Sequence, residues 1–138
     1  MKLNYINDIR ILKLKKIKSN NAQLYVMEDL NKIMIIKRTF TIVLKNLDKK
    51  KRGGHAHKID NQIITCPFGS INFYVDDGSK RKKILINNPM KIVYVPKHIW
   101  TETEYLSKET VVSCYSSSNY DERSYIRNYE NFLKFRKI

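Results

Sequence analysis

Along most of the chain, apolar and polar residues change places every one or two positions, in runs of strand length. Arg10 to Ile17, RILKLKKI, sets apolar against basic residues, and Ala22 to Glu28, AQLYVME, alternates in the same way. A period of two puts one kind of side chain on each face of an extended strand. Lys32 to Leu44, KIMIIKRTFTIVL, is a longer run rich in β-branched residues and reads as a strand. Further on, NQIITCPF, SINFYVDDG, KKILIN, KIVYVP, IWTETEY and TVVSCYSS repeat the pattern, most of them bounded by Asn, Asp, Gly or Pro. Asp76-Asp77-Gly78, between INFYV and RKKILI, marks a hairpin turn. Only Asp121 to Phe135 changes period. There Tyr125, Tyr129, Phe132 and Phe135 recur every three or four residues, which predicts a C-terminal helix after Ser116-Ser117-Ser118 with its aromatic stripe packed on the strands.

Repeated short strands with no long helical period predict an all-β sandwich or barrel. The 138 residues suit one domain, 1–138, with no internal repeat. No apolar run approaches the ~18 residues of a membrane span, and the start, MKLNYINDIR, lacks the apolar core of a signal peptide. A cytoplasmic protein with no membrane partner is expected. Cys66 and Cys114 lie in apolar, strand-like stretches, as buried thiols of a reducing compartment do.

The charge complicates this picture. Lys and Arg outnumber Asp and Glu by 27 to 13, a net +14. Such a balance raises the question of a polyanionic partner. The basic residues form only short clusters, at 13–16, 49–52 and 80–83, and no helix-turn-helix, zinc-finger or RNA-recognition pattern accompanies them. Solvated surface lysines are the first expectation and attraction of a phosphate-bearing small molecule the second; nucleic acid is not expected as a partner.

The chemistry concentrates in RGGHAHK, Arg52 to Lys58. On a strand, His55 and His57 project to one face. An imidazole can ligate a metal, transfer protons near neutral pH, or sit satisfied in a core. His55, His57, Gln62 and Gly69 give the spacing H-x-H-x4-Q-x6-G. This resembles the first motif of the cupin superfamily, whose fold is a double-stranded β-helix or jelly roll, and in which an acid usually stands at the place of Gln62. An amide is a poorer ligand than a carboxylate for a divalent transition metal. His98, two residues after Pro96, comes closer to that proline than metal-binding cupins place their last histidine. We therefore expect no metal and no cofactor, and acid–base work from the pair.

A narrower resemblance covers most of the chain. RGGHAHK, Gln62, Cys66, Gly69-Ser70, Trp100 four residues after Pro96, the upstream IKR (Ile36 to Arg38) and YDERSYIRNYENF (Tyr120 to Phe132) follow the order seen in the cupin-type 3,4-ketoisomerases. These act on dTDP-4-oxo-6-deoxy-D-glucose and supply precursors of 3-amino-3,6-dideoxy sugars. The resemblance implies a cupin domain with a short C-terminal helix, a dTDP-sugar substrate and a homodimer. It implies that His55 is the main base and His57 its neighbour. It also implies that Arg38 and Arg52 hold the diphosphate or orient the site, since a guanidinium grips phosphate oxygens in pairs. Gln62 becomes a donor to the sugar or a core hydrogen-bonding group, Trp100 a pocket wall or a core residue, and Tyr120 and Arg127 mainly structural. Where the family has an aromatic pair with a tyrosine, this chain has Phe40 and Thr41, and Ser124 replaces a usual acid. Asn21 and Thr101 stand at places that tune the configuration at sugar C4 and differ from the common choices. A related nucleotide-sugar epimerase and a non-catalytic nucleotide-sugar-binding cupin are the alternatives.

Overall fold

A computed structural model describes residues 1–48 and 50–137; Lys49, of the basic cluster at 49–52, lies outside them. The strands are β1 (Arg10–Lys13), β2 (Lys15–Lys18), β3 (Gln23–Val26), β4 (Arg38–Val43), β5 (Lys51–His57) and β6 (Gln62–Phe68). They continue as β7 (Ile71–Asp76), β8 (Arg81–Ile86), β9 (Lys91–Val95), β10 (Trp100–Tyr105), β11 (Val111–Ser116) and β12 (Tyr125–Ile126), followed by helix α1 (Tyr129–Arg136). One antiparallel sheet runs β1-β9-β6-β11-β4, the other β12-β5-β10-β7-β8. Strands that follow each other in sequence mostly fall in opposite sheets, which is the winding of the cupin jelly roll.

The core lies between the sheets. Ile71, Val75, Ile86 and Val93 are wholly or almost wholly excluded from water there. Each such side chain contributes about 1.5–3 kcal/mol by burial. β6 reads as an unbroken apolar run because both of its faces are covered. Ile64 and Cys66 point inward, while Ile63 packs outward with Met34 and Ile92 under Leu30 and Ile36. Here the expected long strand over Lys32 to Leu44 is corrected: only Arg38–Val43 is strand, and the apolar residues before it cover the outside of the first sheet. RILKLKKI is likewise two strands. Leu14 donates its N–H to the Met90 carbonyl at 2.6 Å, and the chain leaves β9 to pair as the separate hairpin β2-β3.

Gly69 forms a tight connection between β6 and β7. Its φ is +84°, and a Cβ there would lie 2.5 Å from Thr110 Oγ1 and 2.8 Å from Thr110 Cα. A side chain would need both left-handed backbone and space already filled. At the other end of β7 the expected hairpin turn forms, and Arg81, Lys82 and Lys83 of the 80–83 cluster lie exposed on edge strand β8. Charged edges of this kind discourage further strand pairing.

The C-terminal helix starts later than the aromatic spacing predicts. Tyr125 and Ile126 instead extend the second sheet, opposite His57 and Ala56 on β5. The Asn128 side chain then accepts from Asn131 N–H at 3.0 Å and caps α1. Phe132 is fully buried beside Trp100, Phe135 lies against His98, and the Tyr129 hydroxyl donates to Asp76 at 2.9 Å. Among the described residues no helix is long and apolar enough to cross a membrane.

Asp77 joins the first residues to the sheet. It accepts from the backbone N–H groups of Ile6, Ser79 and Lys80 at 3.0, 2.9 and 2.8 Å. Burial would raise its pKa, but these donors outweigh it and hold the group at about 2, below its usual 3.8. A carboxyl depressed in this way stabilises the fold above its ordinary pKa, and that stability is lost as pH falls through about 2. Asp77→Ala is expected to lower the unfolding free energy in urea at pH 7 by about 2 kcal/mol, and to flatten the acid limb of stability below pH 4; an unchanged midpoint would refute the role.

Candidate active site

The site depends on a change of parity in β5. Gly53 and Gly54 both have left-handed backbone, φ +90° and +80°. Against β10 the register moves there: Thr101 faces His55, Glu102 faces Gly53 and Thr103 faces Arg52. One extra residue is therefore inserted in β5, a β-bulge. Thr101 and Thr103 share a face of β10, so their partners His55 and Arg52 share a face of β5, although they are three apart in sequence. In a regular strand Arg52 would point with Ala56, away from the histidines. The pair of glycines makes the inward set Arg52, His55 and His57. A Cβ on Gly53 would also lie 3.2 Å from the Thr101 carbonyl oxygen, in a backbone region side chains avoid.

This face lines a cavity of about 350 Å³ between the sheets. Its polar wall is Arg52, His55, Gln62, Thr101, Thr103, Tyr105 and Arg127, and its apolar wall includes Phe40, Ile42, Ile64 and Phe73. A shallower depression of about 480 Å³, lined by 42–46, Asp48 and Arg52, shares Ile42 and Arg52 with it. Among the described residues the depression holds no histidine, only Lys45, Asp48 and the shared Arg52 as charged groups, so the imidazole chemistry belongs to the cavity and the depression is a continuation of its mouth.

His57 lies next to His55 and deeper. It is 6% exposed, and neither ring nitrogen has a protein partner. Its ring meets His55 edge-on, with centroids 4.9 Å apart, and Tyr125 at 4.5 Å. Burial first, and then the Arg127 charge, lower the pKa of His55 to about 4, with Glu122 opposing. His57 is lowered by burial first and then by His55, with Asp60 opposing. Both rings are thus neutral at neutral pH, with lone pairs available as bases. Burial also raises both thiols, Cys114, which lines the cavity, to about 12 and Cys66 to about 11, so neither is a ready nucleophile.

The remaining expected residues fall in different places. Gln62 lines the cavity, but its Nε2 donates to Asp60 and Ser116, both at 3.1 Å. Of its two expected roles, that side of the amide takes the core one. Asp60 is 2% exposed and also accepts from Ser118 N–H at 3.1 Å. Arg38 is not in the cavity wall. It lies 3.4 Å from Asp60 and packs on the rings of Phe40 and Tyr120, so it supports the Asp60–Gln62 network from behind. Trp100 is not a pocket wall either. The alternation that turns Thr101 inward turns Trp100 outward, under Tyr129 and Phe132, with its indole N–H donated to Glu102 at 3.1 Å. Asn21 lies exposed in the turn between β2 and β3 and does not reach this cavity.

Three residues of the polar wall, Thr103, Tyr105 and Arg127, come from outside the expected set. Arg127, which the sequence marks as structural, lines it beside His55. Tyr105 is 1% exposed with an unpartnered hydroxyl. The signal for Tyr105 is its place two and four residues after Thr103 and Thr101 on one strand. No pattern marks Arg127, because it follows a two-residue strand hidden within an apparent helix. His98 is remote: its Nε2 contacts the Lys58 carbonyl at 3.1 Å. Among the described residues, no three His, Cys, Asp or Glu side chains converge as metal ligands would.

The family profile described as "FdtA: WxcM-like, C-terminal" matches residues 7–137. A TDP-4-oxo-6-deoxy-alpha-D-glucose-3,4-oxoisomerase of Aneurinibacillus thermoaerophilus is 33% identical over 127 residues, 91% of each chain. The WlaRA TDP-fucose-3,4-ketoisomerase of Campylobacter jejuni superposes with a TM-score of 0.83 at 35% identity, over 94% of this chain and 96% of that one. A mutant of the QdtA 3,4-ketoisomerase of Thermoanaerobacterium thermosaccharolyticum, solved with TDP-4-keto-6-deoxyglucose, superposes with a TM-score of 0.88 at 28% identity, over 96% of each.

Because folding lowers the imidazole pKa values, the unfolded chain binds more protons between the ordinary 6.5 and about 4. Stability contributed by the pair is therefore full above that window and falls as pH drops through it. A proton NMR titration should place the His55 midpoint near 4; a midpoint at 6.5 would mean a hydrated ring and refute the burial.

Proposed function

The chain belongs to the FdtA, WxcM-like C-terminal family, and from that premise we propose that it is a sugar 3,4-ketoisomerase converting dTDP-4-oxo-6-deoxy-D-glucose to a dTDP-3-oxo-6-deoxyhexose. The names of its relatives supply the reaction and the substrate. The observation that carries the reading here is the neutral imidazole of His55, held in the wall of an inter-sheet cavity with a second neutral imidazole against it. At about 350 Å³ the cavity falls within the range of about 300–1,000 Å³ usual for small-molecule sites.

The reaction needs a proton moved between neighbouring carbons and no net change of oxidation state. The C4 carbonyl acidifies the hydrogen on C3. His55 takes that hydrogen as a proton; the C–H electron pair becomes the C3–C4 double bond, and the carbonyl pair moves to O4. O4 then takes the proton of the C3 hydroxyl. The proton on His55 exchanges with solvent, and as a carbonyl forms at C3 the double-bond pair takes a proton from His55 at C4. A base with a free lone pair at neutral pH suits the first half, and its imidazolium form suits the second.

Arg52 lies where the cavity meets the outer depression, so a sugar at His55 brings the diphosphate past its guanidinium. Thr101, directly opposite His55, faces the sugar and bears on the configuration at C4. The protein acts as a single cytoplasmic cupin domain and a homodimer. The β2-β3 hairpin supports the dimer: among the described residues it pairs with no other strand, and it exposes Ile17 and Leu24. Two-stranded ribbons are marginal alone, and a partner subunit would cover this one. Asn21 at its tip would then serve the partner's cavity.

In heavy water, with dTDP-4-oxo-6-deoxyglucose as substrate, NMR should show a 3-oxo product with deuterium at C4. An oxo group still at C4, with inverted ring carbons, would indicate an epimerase and refute the reading. Sedimentation should give a dimer that Leu24→Asp converts to monomer; a wild-type monomer would refute the assembly.

A further inference from the structure

Enolisation leaves a negative charge on the sugar oxygen, and burial makes such charge costly unless a fixed positive group meets it. Cupins that hold a metal have one at hand; here the position of their acid is an amide whose Nε2 is engaged by Asp60 and Ser116. The cavity wall offers two cations, Arg52 and Arg127. Both are exposed; Arg52 lies toward the outer depression, away from His55 by the length of the bulge. Arg127 differs. Its guanidinium lies over the Tyr125 ring at 4.4 Å, and that ring is 5.2 Å from His55. It is fixed by a two-point ion pair, Nε and Nη2 donating to Glu122 at 2.6 and 2.9 Å. Two of the five N–H donors of a guanidinium are used this way.

We propose that Arg127 is a catalytic residue of the ketoisomerase reaction, its guanidinium stabilising the enediolate oxygen that forms as His55 removes the C3 proton, with Glu122 as the positioning residue that holds it in place. This rests on the reaction assigned above. No bond to Arg127 forms or breaks; it supplies hydrogen bonds and charge while a proton passes from C3 to His55 and one from His55 to C4. A second consequence follows from the same placement. Once His55 is protonated it faces a like charge, which favours return of its proton to carbon rather than retention on the ring.

The titratable and charged groups around His55 are His57 and Arg52 on its own strand, Tyr105 on β10, Tyr125 on β12, Arg127 and Glu122 beside that strand, and Cys114 across the cavity. Of these, Arg127 lowers and Glu122 raises the proton affinity of His55. Neutralising each should therefore move the acid limb of kcat/KM in opposite directions.

The test uses full-length Arg127→Gln and Glu122→Gln proteins, assayed on dTDP-4-oxo-6-deoxyglucose across pH, with His55 followed by NMR titration in parallel. Arg127→Gln should lower kcat by about 10²–10³, with KM little changed, and shift the acid limb and the His55 titration upward. Glu122→Gln keeps the guanidinium; it should lose less activity and shift both downward. Equal losses in the two variants with an unmoved His55 titration would mean that the ion pair only braces the fold, and would overturn the proposal. So would wild-type kcat in Arg127→Gln. Should Arg127→Gln fail to fold, an unmoved or raised His55 titration in Glu122→Gln overturns it alone. A wild-type protein that forms no 3-oxo product overturns the reaction assignment and this role together, a result distinct from turnover that ignores Arg127.

Discussion

The whole site depends on one inserted residue in a strand. A β-strand presents every second side chain to the same face, so an arginine three residues before a histidine belongs to the opposite side. The left-handed pair Gly53-Gly54 breaks that rule once, and Arg52 and His55 come to line one cavity, with His57 buried against His55. Strand β10 needs no such device. Thr101, Thr103 and Tyr105 are regularly spaced, and their alternation sends Trp100 and Glu102 outward. Inner and outer faces of these two strands therefore do separate work. Inside they carry the acid–base groups; outside they carry the aromatic seat for α1.

Burial then sets the state of the histidines. Two imidazoles in contact, His57 buried and His55 half-buried near the cationic Arg127, bind protons weakly and stand as free bases at neutral pH. His57 contributes partly by excluding water, since its unpartnered nitrogens leave His55 the ring nearer the cavity. The buried carboxylate of Asp60 works at one remove: it collects Gln62, Arg38 and two serines into a network that fixes the cavity floor. Arg38 is consumed in that network, which is why a residue with a phosphate-binding side chain is found supporting the site rather than lining it.

Much of the fold was legible because strand periodicity is local. The runs from NQIITCPF to TVVSCYSS became β6, β7, β8, β9, β10 and β11 with little change. Three segments misled for physical reasons. Met34 and Ile36 are apolar because they cover a sheet, and an apolar cover reads like an apolar strand. RILKLKKI alternates throughout, but Leu14 bonding to Met90 divides it between two sheets. Tyr125 fits a helical stripe and yet pairs with His57, since Asn128 caps the helix only after the edge of β5 is filled. Of the cavity wall, His55 and Gln62 were singled out by motif spacing, and Arg52 and Thr101 by the family resemblance. The exclusion of Trp100 needed the phase of β10, and Arg127 needed the short strand before it. Both are long-range facts that spacing alone does not carry.

The central claim is that His55, neutral and shielded, removes the hydrogen from sugar C3. The most direct measurement is loss of deuterium from substrate labelled at C3, followed in ordinary water with wild-type and His55→Asn protein side by side. The account predicts that the label leaves C3 in the wild type and stays in the variant; equal loss from both would show that another group is the base.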